Sequence, residues 1–383
     1  MSTSQVNTLS ELPAHIAFSR SIEGDIAVNL SNSCAQTMTI SSLLAYCDSK
    51  QPSMAELELS YASIEGGGAL RQAICDFHHQ VFEQTWLKPA DVVTFAGAQE
   101  ALRSVYHALL QPGDEVIVMT PSYPSLQAMA EQCGANLIAV ELAFENQWQV
   151  NWQALNSAFS EKTAMVVINS PHNPTGMTLS EHELESIVNL CQKYHCYLVL
   201  DDVSQASQYQ QNSAVRKVDY DKAILINVMS KSLGLGGIRL GWAISQDQQV
   251  RNALIAQKAS GSICTSAVDE YLAHLALVNH QPILARANAI IEQNIKLFNQ
   301  FLSQHSAITW HQPQAGILAT IKLSDKLLAG DSIEVWTKRC AEQTGVLLLP
   351  TSLFGLSGPY CRLGLGQKDF AEGLARLSNF LNG

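Results

Sequence analysis

Basic residues, paired cysteines and long apolar runs are all scarce in this 383-residue chain. Lys and Arg together number 23 against 34 Asp and Glu, a formal charge of −11. No basic surplus is left for nucleic acid, whose affinity rests largely on Lys and Arg against phosphates. Charge of this sign speaks to solubility and does not by itself imply a cationic substrate. The nine cysteines are odd in number and scattered, with no CxxC and no Cys/His ligand spacing. A disulfide scaffold and a metal site are therefore not expected, and reduced, buried thiols are. No stretch approaches the ~20 apolar residues of a membrane span. The opening MSTSQVNTLSELPAH has no basic start followed by an apolar core, so a cytoplasmic location is the expectation. Internal repeats, low-complexity tracts and long charge runs are absent as well.

What is present is apolar material. At 47% hydrophobic and only 15% charged, the chain can build a sizeable core, and its length suggests one large domain with a smaller one. Between Val92 and Ile244 the runs VVTF, EVIVM, NLIAV, AMVVIN, YLVLD, AILINV and GWAI recur, each too short for a helix and several rich in β-branched residues. Most are separated by helix-like segments, such as Ser180 to His195, where Ser180 and Glu183 form a capping-box pattern. This alternation predicts an α/β fold with a mostly parallel sheet flanked by helices, and ligands at the carboxyl ends of the strands. After Ala267 the pattern changes. Helices are predicted at Glu270 to Asn279, Ile283 to Gln304 and Lys368 to Leu381, with strands around Ile317 to Leu323 and Val346 to Leu349. This region, joined by part of the first fifty residues, reads as a smaller α/β domain. The expected division is 52–267 for the large domain and 1–51 plus 268–383 for the small one.

Chemistry gathers in a few motifs. In VMSKSLGLGGIRLGW, Lys231 follows an apolar strand and precedes a glycine-rich turn and Arg239. An amine there can condense with an aldehyde cofactor while the arginine fork grips a phosphate. Gly234, Gly236 and Gly237 would let the backbone turn tightly near a ligand. NSPHNPTG ends a strand in a proline-stiffened loop that would aim the amide of Asn173 at a phenolate oxygen, although an Asx turn gives the same pattern. YLVLDDVS puts Asp201 at the end of a buried strand, where a carboxylate needs a partner such as a pyridinium nitrogen; a capping role is the alternative. In FAGAQEALRS the amides of Gly97, Ala98 and Gln99 would sit at a helix N-terminus suited to a phosphate. Tyr123 of PSYP could stack on a flat cofactor or simply pack. Arg362 of YCRLGLG could hold a carboxylate bidentately or serve a structural ion pair.

The ordered set Tyr61, GAQEAL, PSYP, NSPHNPTG, DDVS, SKSLGLGGIR, YCRLGLG resembles the fold-type I pyridoxal-phosphate enzymes, specifically the class I/II aminotransferase family, from about Ile26 to Phe380. The resemblance implies pyridoxal 5′-phosphate as cofactor and an α-amino acid as substrate. It makes Lys231 the Schiff-base lysine and proton shuttle, Asp201 the partner of the ring nitrogen, Asn173 the donor to O3′ and Tyr123 the stacking ring. Ser230, Arg239 and the amides of Gly97, Ala98 and Gln99 become the phosphate cup, and Arg362 the α-carboxylate clamp. Tyr61 would reach the phosphate of a neighbouring subunit, which implies a homodimer. Two departures stand out. Ser204 occupies the place of a tyrosine that normally bonds O3′. The segment NLSNSCAQT, with Ser33, replaces the usual stretch that touches substrate and cofactor. That segment, QKASGSICTSAVDEYLA and LLLPTSLFG are similar to a subgroup of capreomycidine-synthase-like proteins, which eliminate a hydroxyl from arginine derivatives and close a ring. An aminotransferase is the first expectation, and a dehydrating cyclase the alternative.

Overall fold

The computed structural model describes residues 12–47, 53–209 and 218–382. The expected boundary between residues 51 and 52 lies outside the described residues. Thirteen strands run through the described chain. They are β1 (Val28–Asn29), β2 (Val92–Phe95), β3 (Glu115–Thr120), β4 (Asn136–Glu141), β5 (Thr163–Asn169), β6 (Tyr197–Asp201), β7 (Ala223–Val228), β8 (Gly241–Ser245), β9 (Ile308–Trp310), β10 (Leu318–Leu323), β11 (Val346–Leu347), β12 (Leu349–Pro350) and β13 (Tyr360–Gly364).

Strands β2 to β8 form one sheet in the order β2-β8-β7-β6-β5-β3-β4. From β4 through β7 the neighbours are parallel, and β8 runs antiparallel to both β7 and β2. The GWAI run is thus the exception to the parallel pattern. Its connection from β7 holds only a short 3₁₀ helix (Gly236–Ile238), with no α-helix of the kind that usually carries a parallel crossover. Along β3 the side chains alternate between two cores. Val116 and Val118 pack with Val167, Val199 and Ile226 on one face, and Ile117 and Met119 pack with Val166, Ile168, Leu198 and Leu200 on the other. Burial on both faces is why these runs read as continuous β-branched stretches. Each fully buried aliphatic side chain contributes about 1.5–3 kcal/mol, and Ile168→Ala would cost roughly 2–5 kcal/mol in the strand that carries the site.

The helix predicted at Ser180 to His195 spans Glu181–Tyr194. The Ser180 hydroxyl accepts from the Glu183 N–H, and the Glu183 carboxylate accepts from the Ser180 N–H at 2.8 Å. A third core unites both ends of the chain: Val28 and Leu30 pack with Ile291, Phe298, Ile321, Trp336, Leu363 and Phe370. It lies on a smaller sheet ordered β12-β13-β10-β9 and on the parallel pair β1-β11. Helix His280–Gln304 joins this core to one of those on the large sheet. Its first turns (Ile283, Leu284) pack with the large sheet and its later ones (Ile291, Phe298) with the small one.

Candidate active site

Register aligns the carboxyl ends of the central strands. Asn169 at the end of β5 lies opposite Asp201 at the end of β6, and Asp201 opposite Ile226 in β7. The chain then leaves β7 through Ser230 and Lys231. A cavity of about 260 Å³ opens there. Ser33, Ala98, Gln99, Tyr123, Asn173, Asp201, Ser204, Ser230, Lys231 and Arg239 line it, with apolar walls from Leu102, Val203, Val228 and Leu318. A larger cavity of about 340 Å³ shares only Pro171 with it and holds none of the predicted site residues.

Asp201 is 5% exposed, and its Oδ1 has no partner among the described residues. Burial, with the charge of Asp202 added, pushes its carboxyl up to about 7, while Lys231 pulls the other way. Lys231 Nζ donates to Ser33 Oγ at 2.7 Å, and burial holds its pKa below the ordinary lysine value. Asn173 is fixed from two sides: its backbone N–H donates to Asn169 Oδ1 at 2.7 Å, and its own Oδ1 accepts from Arg362 Nη1 at 3.2 Å. With that oxygen engaged, the amide nitrogen is the group left to donate to a ligand. Asn169 Nδ2 in turn donates to the Asp201 carbonyl at 2.8 Å, tying the two strand ends together.

Gly97 precedes helix Ala98–Leu109 with φ +93°, and a Cβ there would stand 2.9 Å from Arg239 Nη2. The glycine therefore lets the guanidinium approach the free N–H groups of the helix N-terminus, which is an arrangement for an anion. Arg239 itself has φ +50°, a left-handed conformation uncommon outside glycine, and its Nη1 donates to the Gly236 carbonyl at 3.1 Å.

The Lys231 turn is as tight as expected at Gly234, whose N–H donates to the Lys231 carbonyl at 3.1 Å. Gly234 has φ +69°, and a Cβ on it would come within 2.7 Å of the Gln36 carbonyl oxygen. The Ala35 N–H donates to the Lys231 carbonyl at 3.0 Å. Close approach at Gly234 is thus to the 33–36 segment, which it lets cross over Lys231. A Cβ on Gly237 would meet nothing within 4 Å, so that position is not held by contact.

Arg362, on β13, is 5% exposed and lies behind the cavity wall. Nη2 donates to the Ser31 carbonyl at 2.9 Å, the guanidinium lies 4.7 Å from the Phe354 ring centroid, and Nε has no partner. Burial lowers its pKa to about 10, which leaves it charged at neutral pH. No carboxylate pairs with Arg362 among the described residues, so the structural ion-pair alternative is not what the structure contains. Tyr61 is 86% exposed and lies outside the cavity of its own protomer. Sequence reasoning missed Asn169, which orients Asn173 and was legible only as the first residue of NSPHNPTG. It also missed Phe354, whose ring lies against the Arg362 guanidinium and which carried no local signal.

The site suits the cofactor implied by the sequence. A buried carboxylate with an unpartnered oxygen calls for a cation, a buried amine faces the same cavity, and an arginine meets a helix N-terminus at its end. The model for aminotransferase class I and II matches residues 48–373. An arginine–pyruvate transaminase of Pseudomonas aeruginosa is 28% identical, over 83% of this chain and 81% of its own. The crystal structure of a PLP-dependent aminotransferase from Streptococcus suis superposes with a TM-score of 0.88 at 26% identity, covering 97% of each chain. A PLP-dependent cyclase, OrfR, also reaches a TM-score of 0.88, covering 99% of each chain, but its 23% identity is a likeness of fold alone. Matched across most of its length, the chain belongs to the class I and II aminotransferase family and is a PLP-dependent enzyme.

Proposed function

We propose that this enzyme moves the amino group of an α-amino acid to a keto acid, with Lys231 carrying the proton between Cα and the cofactor. The observation that carries the reading is the buried Lys231 amine in one cavity with the unpartnered carboxylate oxygen of Asp201. Pyridoxal phosphate, when bound, supplies an aldehyde carbon that amines add to and a ring that draws electron density from Cα. The protein does the rest. Asp201 keeps the ring nitrogen protonated, which in turn satisfies its own oxygen. Lys231, with its pKa lowered by burial, has a larger neutral fraction available to take the proton from Cα. Asn173 would donate to O3′, Tyr123 would stack on the ring, and Ser204 would offer O3′ a shorter side chain than tyrosine; all three line the cavity. The amides of Gly97, Ala98 and Gln99 hold the phosphate with Ser230 and Arg239. Arg362 and Asn173 take the substrate carboxylate, and Ser33 steadies the Lys231 amine from the substrate side.

The active unit in this reading is a cytoplasmic homodimer in which Tyr61 of one protomer reaches the phosphate of its partner. Support comes from the exposure of Tyr61 (86%) beside Leu59 (83%), two large side chains that a single protomer leaves uncovered. Residues 52–267 form the cofactor domain, and 1–51 with 268–383 the smaller one, whose core draws on both ends of the chain. The dehydrating-cyclase alternative finds no support in the likeness to OrfR, which concerns the fold.

Borohydride reduction of the yellow holoenzyme should fix the cofactor to Lys231; an adduct on any other residue in a peptide map refutes the assignment. A panel of amino acids, hydroxylated arginines included, run with and without a keto acid then separates the reactions. Amine exchange that depends on the keto acid is the expected outcome. Water loss without an acceptor would select the cyclase.

A further inference from the structure

His15 stands on the N-terminal helix Ala14–Arg20, a segment that none of the motifs includes. The helix itself buries no residue, but Phe18 and the following Ile22 and Ile26 pack against a small cluster of Leu347, Leu349 and Phe354. That docking carries the His15 ring between two walls. Its centroid is 5.7 Å from that of Tyr123, which lines the cofactor cavity, and 6.2 Å from that of Phe354, with the planes inclined by 24°. Phe354 is the ring over which the Arg362 guanidinium lies at 4.7 Å. Phe354 therefore contacts both His15 and Arg362, and links the N-terminal helix to β13. Nδ1 of the His15 ring is shielded from solvent and has no hydrogen-bond partner among the described residues. A shielded polar nitrogen without a partner is costly unless something else supplies one.

We propose that His15 is a substrate-binding residue whose imidazole N–H donates to the carboxylate that Arg362 holds. This rests on the reading of Arg362 as the carboxylate clamp. The electrical surroundings agree with the choice of ligand group. Burial first, then the charges of Arg362 and Lys231, lowers the His15 pKa, so the ring is neutral near pH 7 and keeps one N–H to donate. A cationic group would be repelled by the same two charges, whereas a carboxylate is drawn to them. Arg362 spends one N–H of Nη1 on Asn173 and one of Nη2 on Ser31, which leaves its Nε and the second N–H of each Nη for the carboxylate. A donor from the N-terminal helix adds to these and makes docking of that helix part of substrate binding.

The test measures binding by calorimetry on holoenzyme, using succinate and 3-phenylpropanoate as carboxylates without an amine. His15→Phe keeps the ring packing and removes both nitrogens, while His15→Asn keeps a donor near the position of Nδ1. His15→Phe should weaken both probes roughly ten- to hundred-fold, the range of one hydrogen bond to a charged group. His15→Asn should stay within about three-fold of the parent, and in steady-state kinetics His15→Phe should raise KM far more than it lowers kcat. Arg362→Lys, measured alongside, should weaken both probes as well. If Arg362→Lys weakens binding and His15→Phe does not, the His15 proposal falls and the Arg362 reading stands. If Arg362→Lys leaves binding unchanged, both fall. Equal losses for His15→Phe and His15→Asn would reduce His15 to helix packing and also overturn the proposal.

Discussion

Replacing Asp201 with Asn should stabilise the enzyme when the cofactor is removed, and by an amount that depends on pH. The carboxylate is buried, has one unpartnered oxygen, and titrates at about 7 in the folded protein against 3.8 for the ordinary group. Because the folded value is raised, the unfolded chain releases this proton first as pH rises. Stability is therefore intact below about pH 4, falls between there and 7, and is level above. A gap of about three pH units corresponds to roughly 4 kcal/mol at about 1.4 kcal/mol per unit. Asparagine keeps the shape and carries no charge, so it escapes that loss. Urea unfolding of both apoproteins, followed by circular dichroism, should give a difference near zero at pH 4 that grows to a few kcal/mol at pH 8. Pyridoxal phosphate should then stabilise the parent more than Asp201→Asn, because only the parent can pair with the ring nitrogen. Superimposable apoprotein curves at pH 8 would mean that the carboxylate is already satisfied without the cofactor, and the argument for its role would fail.

Arg362→Lys should weaken amino-acid binding by about 1.5–3 kcal/mol, since a point charge does not reproduce the planar fork; normal binding with altered side-chain preference would assign Arg362 to another subsite. Ser204→Tyr should add a donor near O3′ and shift the pH-dependent absorbance of the bound cofactor to lower pH without raising turnover. An unchanged titration with full turnover would make Ser204 a neutral substitution. Gly234→Ala should cost at least about 1 kcal/mol in thermal unfolding, because alanine is strained at φ +69° and its Cβ would press on the Gln36 carbonyl. A melting temperature equal to the parent's would show that the 33–36 segment yields easily.

The seven strands of the large sheet were legible as short apolar runs, a local property of the chain that double burial imposes on all but the edge strand β4. The helix over Glu181–Tyr194 was legible because its capping box lies within four consecutive residues. Lys231, Asp201, Asn173 and Arg239 were recognisable for a related reason: each belongs to a motif whose residues are neighbours in sequence, and the cavity brings these motifs together. Direction and approach were not local. The antiparallel course of β8 goes with a connection that holds no crossover helix, and the alignment of Asn169 with Asp201 comes from strand register. The glycine at 234 was visible, but its neighbour at Gln36 lies almost two hundred positions away in the chain, so only the folded packing reveals what it admits. His15 is the extreme case. A histidine on a short helix has no signature of its own, and its place beside Phe354 arises because residues from opposite ends of the chain share one apolar cluster, which only tertiary structure decides.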